Sequence, residues 1–148
     1  MLRLTKIVHP GMALFDGWVA DLRAGRPVSP FGDFRFAPVE VGVVAETILR
    51  LCRLESAEMA GIWQLSAPAD ITYADAARHI AERLGCDPAL VRPVFGAAAG
   101  ALGGDLPPPF SALDGSRVRN RLGLTLPDAA TTVAACLAST ILPEGASQ

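Results

Sequence analysis

Residues 61–85 read GIWQLSAPADITYADAARHIAERLG and place a strand pattern directly before a helix pattern. The mostly apolar run at residues 61–66 predicts a strand. Thr72 stands three residues before Asp75, as in a capping box, and predicts a helix that begins there and continues to Gly85. The apolar face of this helix consists of Ala76, Ala77, Ile80, Ala81 and Leu84. A strand that leads into an amphipathic helix is typical of α/β proteins.

The same alternation of patterns extends along the rest of the chain. Strands are predicted at 2–8 and 91–95, and helices at 12–24, 39–54, 115–122 and 127–140. Asp114 is the predicted N-cap of the third of these helices, and Pro127 lies in the first turn of the last. The predicted apolar face of helix 39–54 consists of Val41, Val44, Ala45, Ile48, Leu51 and Cys52. We therefore predict a small mixed α/β domain with roughly three to four short strands and about five helices.

Two passages between these elements lack a periodic pattern. Residues 26–38 contain several prolines and three aromatic residues, namely Phe31, Phe34 and Phe36. Residues 96–109 are rich in Gly, Ala and Pro, a composition that predicts a mobile loop. We expect residues 1–140 to form one domain and residues 141–148 to form a flexible tail.

The composition is that of a single domain with a core of its own. The chain has 148 residues, 51% of them hydrophobic, and 13 Lys+Arg against 15 Asp+Glu give a net charge of −2. A chain of this length buries roughly 68–70% of its unfolded surface, enough for a core without disulfides. The one cluster of basic residues, Arg117, Arg119 and Arg121, is too small for a duplex-binding surface. We therefore expect no nucleic-acid partner.

The lengths of the apolar runs and the positions of the cysteines both indicate the cellular compartment of the protein. No stretch reaches the ~18–20 consecutive apolar residues that a membrane helix requires, so no membrane partner is predicted. The three cysteines, Cys52, Cys86 and Cys136, are odd in number and far apart, and we interpret them as core thiols in a reducing compartment. The sequence thus favours a cytoplasmic protein.

One glycine pattern resembles a dinucleotide-binding turn. Gly96, Gly100 and Gly103 have a similar spacing, and such glycines let a backbone approach a pyrophosphate at a helix N-terminus. The next residues, 105–109, read DLPPP, and three successive prolines cannot begin the helix that the turn requires. We therefore interpret these glycines as part of a loop.

Residues that could carry out catalysis are also missing at the spacings that such chemistry requires. A short-chain dehydrogenase needs a Lys four residues after its Tyr, but the only tyrosine is Tyr73 and the only lysine is Lys6. His9 lies in a predicted turn and His79 on a polar stretch of a helix, and neither has a Cys or carboxylate at ligand spacing. We predict no catalytic residue, no cofactor-binding residue and no metal site in this chain, and Tyr73 should pack in the first turn of its helix.

Charged and aromatic residues nevertheless offer a binding surface. An arginine binds phosphate bidentately and an aromatic ring stacks on a base or packs on a sugar face, a mixture that suits a nucleotide-sugar. Our candidate ligand contacts are Arg3, Asp33, Arg35 and Trp63, with Trp18, Phe34 and Phe36 beside them. The alternative is that the aromatic residues are core and that Arg35 pairs with Asp33, since large aromatic residues are usually buried.

Six segments carry a resemblance to a known family. They are LRLTK at 2–6, FGDFRFAPV at 31–39, VGVVA at 41–45, GIWQLS at 61–66, ITYAD at 71–75 and SALD at 111–114. In this order they resemble the C-terminal, substrate-binding part of the dTDP-4-dehydrorhamnose reductase family, a branch of the extended short-chain dehydrogenases. The resemblance covers about residues 2–137 and depends on order and spacing, since no single motif is highly specific.

The resemblance implies a domain that binds dTDP- or UDP-sugars, as in polysaccharide biosynthesis. It also implies that the Gly-rich turn and the catalytic Tyr and Lys belong to a Rossmann half absent from this chain. NADP or NAD is implied for a full-length relative, whereas this chain would not be a reductase by itself. The chain departs from the family at Pro107 and Pro108, where Arg-Pro is common, and at Phe110, where a polar residue is usual.

Two further interpretations remain open. Regulatory subunits of methionine adenosyltransferase look like the same reductases, so the chain is also similar to a non-catalytic interaction module. Loss of a Rossmann half should leave exposed apolar surface, which favours association with a Rossmann-domain partner or a homo-oligomer. The third interpretation is a gene fragment.

Overall fold

A computed structural model describes residues 1–96 and 110–137 as short strands and helices that alternate along the chain. The strands are β1 (Leu2–Leu4), β2 (Lys6–Val8), β3 (Arg35–Phe36), β4 (Pro38–Glu40), β5 (Trp63–Leu65) and β6 (Ile71–Thr72). The α-helices are α1 (Ala13–Arg23), α2 (Val41–Leu51), α3 (Ser56–Met59), α4 (Tyr73–Leu84), α5 (Ser116–Leu122) and α6 (Ala129–Cys136), and Pro88–Leu90 form a 3₁₀ helix. This confirms the predicted mixed α/β class.

The strands associate in pairs. β1 lies parallel to β5 and β2 lies parallel to β4, whereas β3 and β6 are antiparallel with Arg35 opposite Thr72. The strand predicted at 2–8 divides at Thr5, whose Oγ donates a hydrogen bond of 2.6 Å to the carbonyl of Ala37. The strand predicted at 91–95 is reduced to isolated bridges with the passage that contains Phe31, because Pro93 cannot donate to a ladder.

Two hydrophobic clusters hold the domain together. The first joins α1, α4 and α6 through buried residues such as Phe15, Ile80 and Val133. The second joins α2 and α5 to the β1–β5 pair through Trp63 and Val118. Burial on this scale is the main source of stability for a domain of this size.

The helix predicted from Thr72 is confirmed. Thr72 Oγ1 accepts a 2.9 Å hydrogen bond from the amide of Asp75, and Gly85 ends α4 in the left-handed conformation at φ +66°. Glycine adopts this conformation without the steric cost that a Cβ would add. The expectation that Tyr73 packs in the first turn is also confirmed, since its ring lies 4.4 Å from that of Phe36.

The prediction for helix 39–54 was wrong at its start and in part of its apolar face. Val39 pairs with β2 instead of joining the helix, because a parallel partner satisfies its backbone. On α2, Val44 and Leu51 are buried, whereas Val41 and Ile48 are exposed. Helical spacing identifies an apolar stripe but not which part of it another element covers.

Both predicted starts of the last two helices were wrong by one or two residues. Gly115, not Asp114, is the N-cap of α5, although Asp114 Oδ1 accepts a 2.9 Å hydrogen bond from the amide of Ser116. Asp128 caps α6 by accepting a 2.7 Å hydrogen bond from the amide of Thr131, and Pro127 precedes it. In each case an aspartate carboxylate accepts the hydrogen bond from an amide of the first turn. A neighbouring residue, Gly115 or Pro127, can also mark the start of the helix.

The prediction that all three cysteines are core thiols holds for one of them. Cys136 is buried, and desolvation raises the pKa of its thiol to about 11. Cys52 is exposed because it follows the last turn of α2, and Cys86 is half-buried.

None of the helices in the described ranges has the length and apolarity to cross a bilayer. Residues 97–109 of the predicted loop at 96–109, the end of helix 127–140 and the tail at 141–148 lie outside the described residues.

Candidate functional site

An aromatic pocket lies between α1, the start of α4 and the passage that precedes β3. Its volume is about 280 Å³. The walls are the rings of Trp18, Phe31, Phe34 and Tyr73 together with Leu14 and Pro30, and Ser29 adds a hydroxyl. Ligand pockets are typically apolar with a few polar groups, and this volume lies near the lower end of their range. The pocket therefore suits one flat aromatic group.

The rings around this pocket contact one another at angles instead of stacking flat. Phe34 meets Tyr73 at 5.5 Å and 69°, and Trp18 meets Tyr73 at 6.4 Å and 87°. Edge-to-face pairs of this kind are favourable and leave ring faces free. Burial raises the pKa of the Tyr73 phenol above 10.0, so this hydroxyl stays protonated at neutral pH. It can donate or accept a hydrogen bond there.

Backbone hydrogen bonds fix the segment that carries two of these rings. The amides of Tyr73 and Ala74, at the start of α4, donate to the carbonyls of Phe34 and Phe31 at 3.2 and 3.0 Å. On the other side, the amide of Gly32 donates 2.8 Å to the carbonyl of Val94. The segment is therefore held from both sides, which positions Phe31 and Phe34 before any ligand arrives.

Two of the four sequence-predicted contacts lie on this segment. Asp33 is exposed, and its Oδ2 accepts a 2.6 Å hydrogen bond from the amide of Gly96. Arg35 is exposed on β3 and forms neither an ion pair nor a hydrogen bond with another side chain of the described residues. The alternative pairing of Arg35 with Asp33 is thus not observed. The guanidinium remains available to an anion.

The other two predicted contacts lie elsewhere. Arg3 is exposed on β1 opposite Gln64, in a different strand pair from Arg35. Trp63 is 1% exposed, and its Nε1 donates a 2.9 Å hydrogen bond to the carbonyl of Met59. The Arg117 guanidinium covers its ring at 4.0 Å from the centroid. Trp63 presents no surface to a ligand, which corrects our expectation for this residue: an apolar strand position favours burial.

A polar clasp that sequence reasoning missed supports the same segment. Ser111 Oγ donates to Asp70 Oδ1 at 2.5 Å, and the amide of Ser111 also donates to this carboxylate at 3.0 Å. In turn, Ser111 Oγ accepts a 2.9 Å hydrogen bond from the amide of Ala37, two residues beyond Arg35. The resemblance marked Ser111 as part of a motif, but no spacing signal links it to Asp70, 41 residues away.

The junctions between strands and helices do not fit a pyrophosphate. At β4–α2, Glu40 Oε2 already accepts from the amides of Gly42 and Val43 at 2.8 and 3.2 Å. At β6–α4, the first amides donate to carbonyls, as described above. At β2–α1, Asp16 adds a negative charge to the first turn. The first two junctions therefore lack free amides, and the third adds an acidic residue where a dinucleotide phosphate needs positive potential.

Metal and nucleophilic chemistry find no support in residues 1–96 and 110–137. No group of three or more His, Cys, Asp or Glu side chains there could hold a metal ion. His79 is partly exposed and lies 3.4 Å from Glu82 one turn away, as expected for a solvated helix position. His9 is exposed in its turn. The described part of the chain thus offers binding groups without an evident nucleophile and base.

No protein-family model and no curated protein sequence matches the chain. Solved structures do match. The Bordetella bronchiseptica enzyme WbmG, in complex with NAD and UDP, has a TM-score of 0.69 at 20% identity over 93% of this chain and 42% of its own. dTDP-glucose 4,6-dehydratase from Bacillus anthracis, in complex with NAD, has a TM-score of 0.67 at 13% identity over 92% of this chain and 42% of its own.

A third example is UDP-glucuronic acid 4-epimerase from Bacillus cereus, in complex with UDP-glucuronic acid and NAD. Its TM-score is 0.66 at 12% identity, over 90% of this chain and 42% of its own. The chain thus shares the fold of part of these three enzymes, and it spans about two-fifths of their length. At these identities the likeness concerns the fold alone.

Proposed function

We propose that this chain is a sugar-nucleotide-binding domain that places the base in the aromatic pocket and the diphosphate beside Arg35. The observation that carries the proposal is that one fixed segment supplies both two rings of an open aromatic pocket and an arginine, Arg35, that has no side-chain partner among residues 1–96 and 110–137. The shared fold supports it, because matching structures are named as complexes with UDP and NAD or with UDP-glucuronic acid and NAD.

The chemistry of the two regions is complementary to a nucleotide. Base–aromatic stacking contributes about 1–3 kcal/mol per base when measured by alanine substitution in single-stranded nucleic-acid complexes. A guanidinium fork matches two phosphate oxygens and stays charged at every relevant pH. A volume of about 280 Å³ accepts a base but not a whole nucleotide-sugar, so the sugar would lie outside the pocket.

We further propose that the domain does not transfer hydride by itself. The junctions of the described strands and helices do not fit a dinucleotide phosphate, and the only tyrosine, Tyr73, has its ring packed against Phe36. Reductase activity would need a second domain that binds NAD or NADP. β1 supports such an arrangement: within the described residues it pairs with β5 alone, and two-stranded parallel sheets are seldom left uncovered.

Substrate identity is proposed only as far as the class. A dTDP- or UDP-sugar fits the proposal, and the dTDP-4-dehydrorhamnose reductase resemblance favours dTDP. The three cysteines of the chain are all unpaired, which favours a cytoplasmic location where thiols stay reduced. Arg3 remains a proposed contact only for a ligand that extends to the β1–β5 pair.

Titration calorimetry tests this function. UDP-glucose, dTDP-glucose, UDP and NADPH are titrated into the wild-type chain, into Arg35→Ala and into Arg83→Ala, a matched exposed arginine on α4. We expect UDP- or dTDP-glucose to bind the wild type and Arg83→Ala, with weaker binding to Arg35→Ala and no binding of NADPH. Clear NADPH binding, turnover without a second polypeptide, or no nucleotide binding at all would contradict the proposal.

An interaction module is the second candidate function. The observation that favours it is the exposed apolar face of α2, where Ile48 is 46% and Leu49 54% exposed. Exposed apolar patches mark association sites. Light scattering beside the calorimetry separates the two candidates: a strictly monomeric chain that binds a nucleotide-sugar supports the first, and an associating chain that binds none supports the second.

A further inference from the structure

A second cavity lies between α4 and α6, and we call it the α4–α6 cleft. Its volume is about 340 Å³, compared with about 280 Å³ for the aromatic pocket. Its polar walls are His79, Glu82 and Arg83 from α4 and Thr131 from α6. Tyr73 of the aromatic pocket and Arg83 of the cleft are about 15 Å apart along the axis of α4, at 1.5 Å per residue. The two cavities are therefore separate sites on one helix.

The floor of the α4–α6 cleft is apolar. It is formed by Ala130, Val133, Ala134 and Leu137, and of these Val133 and Leu137 are buried. Ala130 and Ala134 lie one turn apart on α6, and their small side chains leave the space between the two helices unfilled. Positions 130 and 137 are separated by about 10 Å along the helix axis. The floor therefore has the length of a short aliphatic chain.

The acidic side chains at the cleft are already engaged within the fold. Glu82 Oε2 lies 3.4 Å from His79 Nδ1, and Asp128, the N-cap of α6, accepts a 2.7 Å hydrogen bond from the amide of Thr131. Arg83 is exposed, and its guanidinium forms neither an ion pair nor a hydrogen bond with a described residue. The charge left unpaired at the cleft is therefore positive, and a guanidinium suits a carboxylate.

We infer that the α4–α6 cleft binds a small aliphatic monocarboxylate, with its chain on the floor of α6 and its carboxylate at Arg83. An aliphatic cation would face the unpaired guanidinium and would find no unpaired carboxylate in return. A dicarboxylate would place its second charge on the apolar floor, where desolvation is costly. None of the described lining residues is aromatic, so the cleft offers no ring on which a nucleotide base could stack.

Nuclear magnetic resonance titrations of the labelled full chain test this inference. Butanoate, hexanoate and octanoate are added in turn, and the resonances of Ala130 and Ala134 report binding in the cleft. Each methylene that becomes buried should raise the affinity about fourfold. Hexylamine, which has the same chain and the opposite charge, should bind about tenfold more weakly than hexanoate. The resonances of Trp18 and Phe34 show whether the ligand instead enters the aromatic pocket.

A pair of arginine variants tests the role of the guanidinium. Arg83→Ala should weaken hexanoate binding about five- to tenfold, a modest effect because the side chain is exposed. Arg78→Ala is the matched control, since Arg78 is exposed on the same helix, pairs with Asp75 and does not line the cleft. It should leave the affinity for hexanoate unchanged.

A pair of alanine variants tests the floor without changing any charge. Ala134→Leu should fill the cleft and abolish the effect of hexanoate on the Ala130 resonance. Ala135→Leu adds the same bulk at the next position of α6, which is exposed and does not line the cleft, and it should bind hexanoate as the wild type does. Melting temperatures show whether each variant is folded.

The result is separable from the proposed function, because saturating UDP should leave the affinity for hexanoate unchanged. A chain that binds hexanoate and no nucleotide would contradict only the proposed function. Resonances of Ala130 and Ala134 that do not respond, shifts confined to Trp18 and Phe34, or hexylamine binding as tight as that of hexanoate would overturn the inference. Wild-type hexanoate binding by a folded Arg83→Ala or Ala134→Leu variant would overturn it as well.

Discussion

Aromatic side chains and an arginine occur together in two parts of this domain, the cluster around Trp63 and the cluster of Phe34 and Tyr73, and the two clusters differ in what the arginine contacts. Beside Trp63, the Arg117 guanidinium donates to the carbonyls of Ile62 and Ala60 at 3.0 and 2.8 Å and stacks on the indole ring. On the segment that carries Phe34, which contacts Tyr73, Arg35 has no such partner in the described residues. In the first cluster the polar groups are paired within the fold, and we call it the closed cluster. In the second the arginine is left unpaired, and we call it the open cluster.

The difference shows why residue type alone is a weak guide to function. A Trp and an Arg at the β5–α5 contact stabilise the domain, because each polar atom there finds a partner within the fold. The same kinds of residues at the aromatic pocket and on its segment leave ring faces exposed and leave the charge of Arg35 without a partner in the described residues. Groups that the fold does not satisfy are the ones available to a ligand.

The largest expected effect is on the closed cluster. Trp63→Ala should lower the free energy of unfolding by about 3–5 kcal/mol, the range for removing a buried large aromatic side chain. Urea titration followed by circular dichroism measures it. Trp63→Phe, which keeps a ring and loses the hydrogen bond to Met59, is the control and should cost less. A Trp63→Ala variant of wild-type stability would show that this cluster is not closed.

A pair of arginine variants sharpens the contrast. Arg35→Ala should weaken nucleotide-sugar binding by about 1.5–3 kcal/mol, the range for a hydrogen bond to a charged group, and leave stability unchanged. Arg117→Ala should do the reverse, with a loss of roughly 0.5–1.5 kcal/mol in stability, because it removes the hydrogen bonds to these carbonyls and the contact with the Trp63 ring. Calorimetry and urea titration on both variants provide the test. Equal effects of the two substitutions on both measurements would remove the distinction.

The clasp under the open cluster should have a smaller effect. Ser111→Ala removes the hydroxyl that joins Asp70 to the amide of Ala37, and we expect a stability loss of about 1–2 kcal/mol with weaker nucleotide-sugar binding. Ser111→Thr keeps the hydroxyl and should restore affinity. If Ser111→Ala and the wild type bind equally well, the clasp does not position Arg35.

The smallest effect concerns the ionisation of Tyr73. Because desolvation raises its pKa above the ordinary 10.0, the folded state holds this proton more tightly than the unfolded state does. The resulting stabilisation is full below pH 10 and is lost as pH rises through the folded pKa. The ultraviolet absorbance of this single tyrosine should therefore titrate at higher pH in the native chain than in urea. Coincident titrations would show that the pocket does not exclude water.

Several parts of the fold were predictable because their signals are local. The capping pair Thr72 and Asp75 and the terminating Gly85 specify α4 through contacts within a few residues. The α/β class followed from the alternation of patterns, and the observed fold confirms it. The helix starts near Asp114 and Pro127 were harder to predict, because two adjacent residues in each case can supply a start signal.

The sequence by itself determined where the longer helices form, which residues are apolar, and that the one Tyr and the one Lys lack the spacing of a catalytic pair; the short helix α3 was not predicted. Only the tertiary structure decided which apolar residues are covered and which charged groups find partners. Burial and hydrogen bonding depend on segments distant in the chain, such as β5 with α5 or Asp70 with Ser111, and local spacing contains no information about those contacts. That is why Trp63 became core while Arg35 stayed open.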